Sequence, residues 1–157
     1  MNIQKLLLSI LLYGFIGWFL DSAVRFIRYG AWINGTYLEI PWSPMYALGA
    51  LIILFVFRFI KERHILIQFA VYAVVVPLYE YLGGIVSIWI AGRRLWDYTD
   101  LPFDIGGHTT ALHTVAWAAL AIMLVHFIHP SVVSLLERVN KATTSSPKAL
   151  FWSYRTV

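Results

Sequence analysis

Four apolar stretches dominate this chain, each close to the ~20 residues a helix needs to cross ~30 Å of hydrocarbon. They run about 6–27, 42–60, 65–91 and 109–128. In lipid every backbone N–H and C=O must find its partner inside the segment, so stretches of this kind can only be helices. Only 13% of the residues are charged, against about 25% in soluble domains. A mean hydropathy of +0.72 agrees with a lipid solvent. The expected fold is therefore all-α: an integral membrane protein with a four-helix transmembrane bundle over 1–130 and a polar tail over 131–157.

The third stretch is long enough to need a tilt or a break, and Pro77 or the pair Gly83-Gly84 are the places for a break. The fourth stretch is expected to stop at Pro130. The tail beyond it is expected to start with a short interfacial helix and end in disorder, because Ser, Thr and Lys replace the apolar residues. The first stretch reads as a spanning helix rather than a signal peptide. It contains Asp21, and no small-x-small cleavage site follows.

Orientation follows from the basic residues. Lys5, Arg58, Lys61, Arg63, Arg138, Lys141, Lys148 and Arg155 fall on one side; Arg25, Arg28, Arg93 and Arg94 fall on the other. The positive-inside rule then puts both termini in the cytoplasm of a multi-pass protein of the cell (plasma) membrane. The net charge of +4 is spread over loop ends rather than gathered in one patch, so no nucleic-acid partner is expected. With no cysteine, disulfides, thiolate metal sites and cysteine nucleophiles are excluded. Nor is any cofactor expected.

Glu80 lies near the middle of the third stretch. An ionised carboxylate at the bilayer centre costs about 2.5–3.5 kcal/mol on insertion scales, so such a residue is neutral, paired or facing a polar cavity. Other unusual polar groups gather toward the same outer half. Asp21 is near the outer end of the first helix. Trp96, Asp97, Tyr98, Asp100 and Asp104 are in the outer loop before the fourth helix, and His108 and His113 are at that helix's outer end. This pattern points to a polar, outward-facing pocket whose substrate-binding candidates are Asp21, Glu80, Trp96, Asp97, Tyr98, Asp104, His108 and His113.

Each candidate has a plainer reading. Asp21, Arg25 and Arg28 share one helix face and can be a charge cluster capping a helix end. Glu80 can be a protonated packing residue that ties helices together. His108 and His113 are five apart, which is not the i, i+4 spacing that sets two metal ligands on one face, so no metal is assigned. Trp96 and Tyr98 can be interfacial anchors. The loops 92–107 and 34–44 are too apolar for free outer loops and too broken by Gly and Pro for helix, so both are expected to fold back over the bundle mouth like re-entrant segments.

These loops also carry a likeness. The pattern begins with Gly17-Trp18-x-x-Asp21 and Asn34-x-x-Tyr37-Leu38-x-x-Pro41-Trp42-x-Pro44-x-Tyr46-x-x-Gly49-Ala50. It continues with Glu80-Tyr81-x-x-Gly84 and Trp96-Asp97-Tyr98-Thr99-x-x-Pro102-Phe103-Asp104-Ile105-x-Gly107. It resembles the CmpB-type family of putative ABC-transporter type IV membrane proteins over about two thirds of the chain. The resemblance implies a small multi-helix membrane protein labelled a permease subunit. The family pattern usually has Glu at Asp21, Asn at Asp104 and Arg at His108, so the mouth of this chain is more acidic and the chain is a divergent member.

Three functions compete. The first is a transporter-like or substrate-binding membrane subunit. It would need a separate ATPase chain, because no Gly-x-x-x-x-Gly-Lys-Ser/Thr loop is present, and it would form a homo-oligomer because four helices make a small permease. The second is a membrane-embedded enzyme acting on a lipid or lipid-linked substrate, with carboxylates such as Glu80 and Asp97, together with His108 or His113, doing general acid–base chemistry if they converge. No recognised catalytic spacing supports it, and the chain is read as leaning away from an enzyme. The third is a non-catalytic scaffold whose polar residues only bind helices together.

Overall fold

The computed structural model describes residues 3–34, 36 and 38–144. Tyr37 of the family pattern and the nearby Gly35 lie outside the described residues, as does the expected disorder of the tail over 145–157.

The chain is helical wherever the sequence is continuously apolar. Helix α1 is Ile3–Tyr29, α2 is Pro44–Ile60 and α3 is Ile65–Ala91. A two-residue antiparallel hairpin follows, with β1 (Asp104–Ile105) set against β2 (Thr109–Thr110). Then come α4 (Ala111–Met123), a π-helical turn at Leu124–Ile128, and α5 (His129–Thr144).

Local chemistry sets the ends. Pro44 begins α2, where its missing N–H would have had no partner anyway. The α3 helix ends at Gly92 in the left-handed region, and its N–H reaches back to Ile88 O. Thr110 caps α4 by accepting from His113 N at 3.1 Å.

Among the described residues three helices are long and apolar enough to cross a membrane: α1, α3 and the continuous run Ala111–Ala142. Helix α2, at 17 residues, is a shorter apolar helix. Its rise of 1.5 Å per residue gives about 26 Å, just under the hydrocarbon thickness.

Two expected breaks are absent. The α3 helix runs through Pro77 and Gly83-Gly84 without interruption. The glycines are contact points: a Cβ on Gly83 would meet Met45 Cε at 2.3 Å, and one on Gly84 would meet His108 Nδ1 at 2.3 Å. Nor does the fourth helix stop at Pro130, which lies inside the run from α4 into α5. Proline has no N–H to give the His126 carbonyl and its ring crowds that oxygen. The turn just before it widens to π geometry, with His129 N bonding Leu124 O, and the helix continues.

Helix α2 is the centre of an arc. It packs on α1 on one side and α3 on the other; α4 packs on α3, and α5 swings across to α1. The interior is divided in two. Tyr72, Ala118, Ala121 and Val125 lock α3 to α4, while Tyr13, Ala50, Val132 and Leu136 lock α1, α2 and α5. Large apolar side chains such as Phe59, Trp89 and Phe127 face outward, as a lipid solvent permits. Helices α1 and α4 do not pack extensively on each other. A cavity fills the space between them.

Candidate functional site

The cavity measures ≈ 190 Å³ and is walled by all four apolar helices and by the loop that follows α3. Glycines of α1 let two aromatic rings pack tightly on it, of which Tyr46 lines the cavity. Trp42 lies where a Cβ on Gly14 would be, 2.0 Å from its Nε1, and Tyr46 lies where a Cβ on Gly17 would be, 2.1 Å from its own Cβ. The Gly14 carbonyl also accepts from Ser43 N at 3.1 Å, which fixes the entry into α2.

Glu80 sits on the wall with 7% of its surface exposed. Its Oε1 accepts from Trp117 Nε1 at 2.8 Å and from Tyr98 Oη at 3.1 Å. The carboxyl thus joins α3, α4 and the loop at one atom. The Thr109 hydroxyl faces the same carboxyl. It misses hydrogen-bond geometry, however, and both Thr109 Oγ1 and Glu80 Oε2 are buried without a partner. A small shift of the Thr109 hydroxyl would satisfy both atoms at once.

Asp21 faces the same space from α1. Its Oδ2 accepts from Arg25 Nε at 2.8 Å, one turn along the helix, and its Oδ1 accepts from Tyr46 Oη at 3.3 Å. Asp21 and Arg25 lie close enough to act electrostatically on the Tyr98 phenol. The Asp21–Arg25 pair and the Glu80 cluster therefore form one polar end of the cavity. Burial pushes the Tyr98 hydroxyl well above the usual phenol range, and the Glu80 carboxyl adds to the push, so Tyr98 stays a donor.

The loop is pinned from above. Trp96 lines the cavity and its Nε1 donates to His108 O at 2.9 Å. Tyr98 stacks on His113, with centroids 4.2 Å apart and planes 20° from parallel. His113 Nδ1 in turn pairs with Thr110 Oγ1 at 2.8 Å. His108 is buried edge-on to Tyr81 and against Gly84, and its Nδ1 has no hydrogen-bond partner. Burial pushes the His108 ring below the usual imidazole range, with Arg94 adding to the effect, which keeps it neutral.

Of the residues singled out in the sequence, Asp21, Glu80, Trp96 and Tyr98 line the cavity. His113 and His108 stand behind them as supports. Asp97 and Asp104 are turned into the loop instead. Asp97 Oδ1 accepts from Thr99 N, Thr99 Oγ1 and Arg94 Nη1. The two Thr99 bonds, more than Arg94, hold that carboxyl below the usual range. Asp104 Oδ2 accepts from Gly107 N at 2.9 Å and shapes the hairpin turn. Among the described residues no group of three or more His, Asp or Glu is arranged to hold a metal ion.

Sequence reasoning missed Trp117 and Tyr46. Trp117 carried a readable signal: an indole N–H about two turns inside an apolar helix must find a buried acceptor. Tyr46 had none, because a tyrosine near a helix start reads as an interfacial ring.

No match to this chain was found among curated proteins or among solved structures. A family does match, over residues 8–156, and its description is "Putative ABC-transporter type IV". That span takes in α1 from residue 8 onward, the other three apolar helices, the pinned loop and every cavity residue named above, and the chain belongs to this ABC-transporter family of membrane proteins.

Proposed function

We propose that this protein is the membrane-embedded, substrate-binding subunit of a transporter, and that the cavity around Glu80 is its binding site. Membership of the ABC-transporter family supports the transport class. The observation that carries the reading is the convergence of Glu80, Tyr98, Trp117, Asp21 and Arg25 on one cavity inside an otherwise apolar bundle. Polar groups at membrane depth are expensive and are kept where they face a substrate path.

In this reading all four helices span the plasma membrane, α2 doing so at the short limit of spanning length. The loops 34–44 and 92–107 dip back over the outer mouth, and both termini are cytoplasmic by the positive-inside rule. The chain carries no phosphate loop, so a separate ATPase chain supplies the energy, and copies of the subunit assemble to complete the pathway.

The enzyme reading is less well supported by the geometry. Acid–base chemistry on a lipid needs two groups facing the reacting atoms. Asp97, expected to act with Glu80, spends its carboxylate on Thr99 and Arg94, and His108 and His113, the other expected participants, are not among the cavity-lining residues.

The test is extraction from the protein's own membrane in mild detergent, followed by native mass spectrometry. A stoichiometric ATPase chain, whose ATP hydrolysis changes when Glu80→Gln replaces the wild type, supports the transport reading. A protomer or homo-oligomer with no ATPase in any mild detergent overturns it.

A further inference from the structure

The cavity is polar at one end only. Asp21, Arg25, Glu80 and Tyr98 gather beneath the loop, while Leu120, Leu124 and Ile128 continue the wall away from it. Along this helix the lining runs from Trp117 to Ile128, a rise of about 16 Å. A length of that order with a single polar end fits an elongated molecule carrying one head group, not a compact polar solute.

The walls also show how such a molecule would enter. α1 and α4 flank the cavity without packing extensively on each other. Their seam is closed at the far end, where Val132 and Leu136 of α5 meet Tyr13 of α1. Toward the polar end the described contacts between α1 and α4 run through Tyr46 of α2, which packs on Gly17 and lies edge-on to Trp117, and Leu20 lines the cavity while remaining 39% exposed. A molecule dissolved in the bilayer can reach the cavity sideways through this part of the seam.

Charge selects the head group. The polar end holds two carboxyls and one guanidinium, and that guanidinium is already bonded to Asp21. Among the described residues no basic side chain pairs with Glu80, so acidic groups outnumber basic ones at this end. An anionic head would add to that excess, whereas a hydroxyl or ammonium head can donate to the carboxyls there.

We propose that the cavity binds a single-chain amphiphile with a hydrogen-bond-donating, non-anionic head group, entering sideways from the bilayer between α1 and α4. This rests on the substrate-binding reading above and names the substrate class for it.

The test uses the full chain in phosphatidylcholine nanodiscs with three photoreactive probes: diazirine-bearing hexadecanol, hexadecylamine and hexadecanoic acid. Crosslinks are mapped by peptide mass spectrometry. The expected result is crosslinking of the alcohol or the amine within the Trp117–Ile128 wall, at least about fivefold above the acid, the ratio expected for one charge-assisted hydrogen bond of about 1 kcal/mol. The amine exceeding the alcohol would identify an ammonium head, and equal labelling a hydroxyl head. Two variants guard the result. Leu124→Trp, which fills the apolar part, should abolish labelling of the wall. Glu80→Gln, which keeps the local shape, should erase the preference over the acid. Equal labelling by the acid in the wild type, or crosslinks confined to lipid-facing positions such as Val115 and Phe127, would overturn the proposal. ATPase co-purification is scored separately. Labelling without an ATPase sinks the transport reading alone, and an ATPase without cavity labelling sinks the amphiphile alone.

Discussion

Replacing Gly84 with alanine tests whether the loop is docked on the bundle in the way the structure shows. A Cβ at Gly84 would lie 2.3 Å from His108 Nδ1 and 2.9 Å from its Cγ, whereas ordinary contact begins at 3.4 Å. The imidazole must therefore retreat by about 1 Å, and it has little freedom to do so because its ring is buried edge-on against Tyr81. The His108 carbonyl holds Trp96, so displacement passes directly to the cavity wall. Overpacking of this kind costs about 1–3 kcal/mol. For a chain of this length that is a fall in Tm of about 2–4 °C per kcal/mol. The assay is thermal unfolding in a mild detergent, followed by circular dichroism. Removing the obstacle should reverse most of the loss, so Gly84→Ala/His108→Ala should be more stable than additivity of the two single variants predicts. Unchanged stability in Gly84→Ala, or strict additivity in the double variant, would show that the loop does not rest on α3 through this contact.

Other outcomes follow from the same geometry. Glu80→Gln keeps an acceptor for Tyr98 and Trp117 and should cost under about 1 kcal/mol. Glu80→Leu strands both donors and should cost about 1–3 kcal/mol more; equal unfolding temperatures for the two would contradict the network. Gly17→Ala should be worse tolerated than Gly84→Ala, because its Cβ would meet Tyr46 at its own Cβ, 2.1 Å away, where the side chain cannot swing aside. Denaturant titration of the two variants side by side checks that order. His108 has its pKa lowered in the folded protein, so the unfolded chain binds its proton first as pH falls. The contribution of His108 is absent above about pH 6.5 and becomes a loss of stability below it. Unfolding temperatures between pH 7.5 and 5 should drop less in His108→Gln than in the wild type, and parallel curves would refute the assignment.

The positions of the helices were legible because apolar length alone decides them in lipid. Apolar runs 42–60 and 65–91 differ from α2 and α3 by no more than two residues at any end. What was not legible was the meaning of Gly and Pro. Gly83-Gly84 looked like a break and is a contact surface, since a helix in lipid keeps its hydrogen bonds and uses small residues for close approach. Pro130 looked like a stop, but a single π turn absorbed the lost bond. Depth drew attention to Glu80, and loop composition to Trp96 and Tyr98, all of which line the cavity. Asp97 and Asp104 misled because a loop acid can serve its own turn as readily as a cavity, and spacing does not distinguish the two. The indole of Trp117 signalled that it needs a buried acceptor, but no local pattern names that acceptor, since Glu80 is 37 residues away.

The claim of an outward-facing polar pocket is most directly tested by thiol accessibility, for which a chain with no cysteine is a clean background. Ser43 lines the cavity, is 4% exposed, and makes no side-chain cap to α2, so Ser43→Cys is a near-isosteric reporter. Phe55→Cys, on the lipid-facing side of α2, is the control. A charged, membrane-impermeant thiol reagent added to intact cells should modify Ser43→Cys and leave Phe55→Cys untouched. Failure to label Ser43→Cys from outside, while the same reagent labels it from the cytoplasmic side of inverted vesicles, would contradict the pocket's orientation and with it the central account.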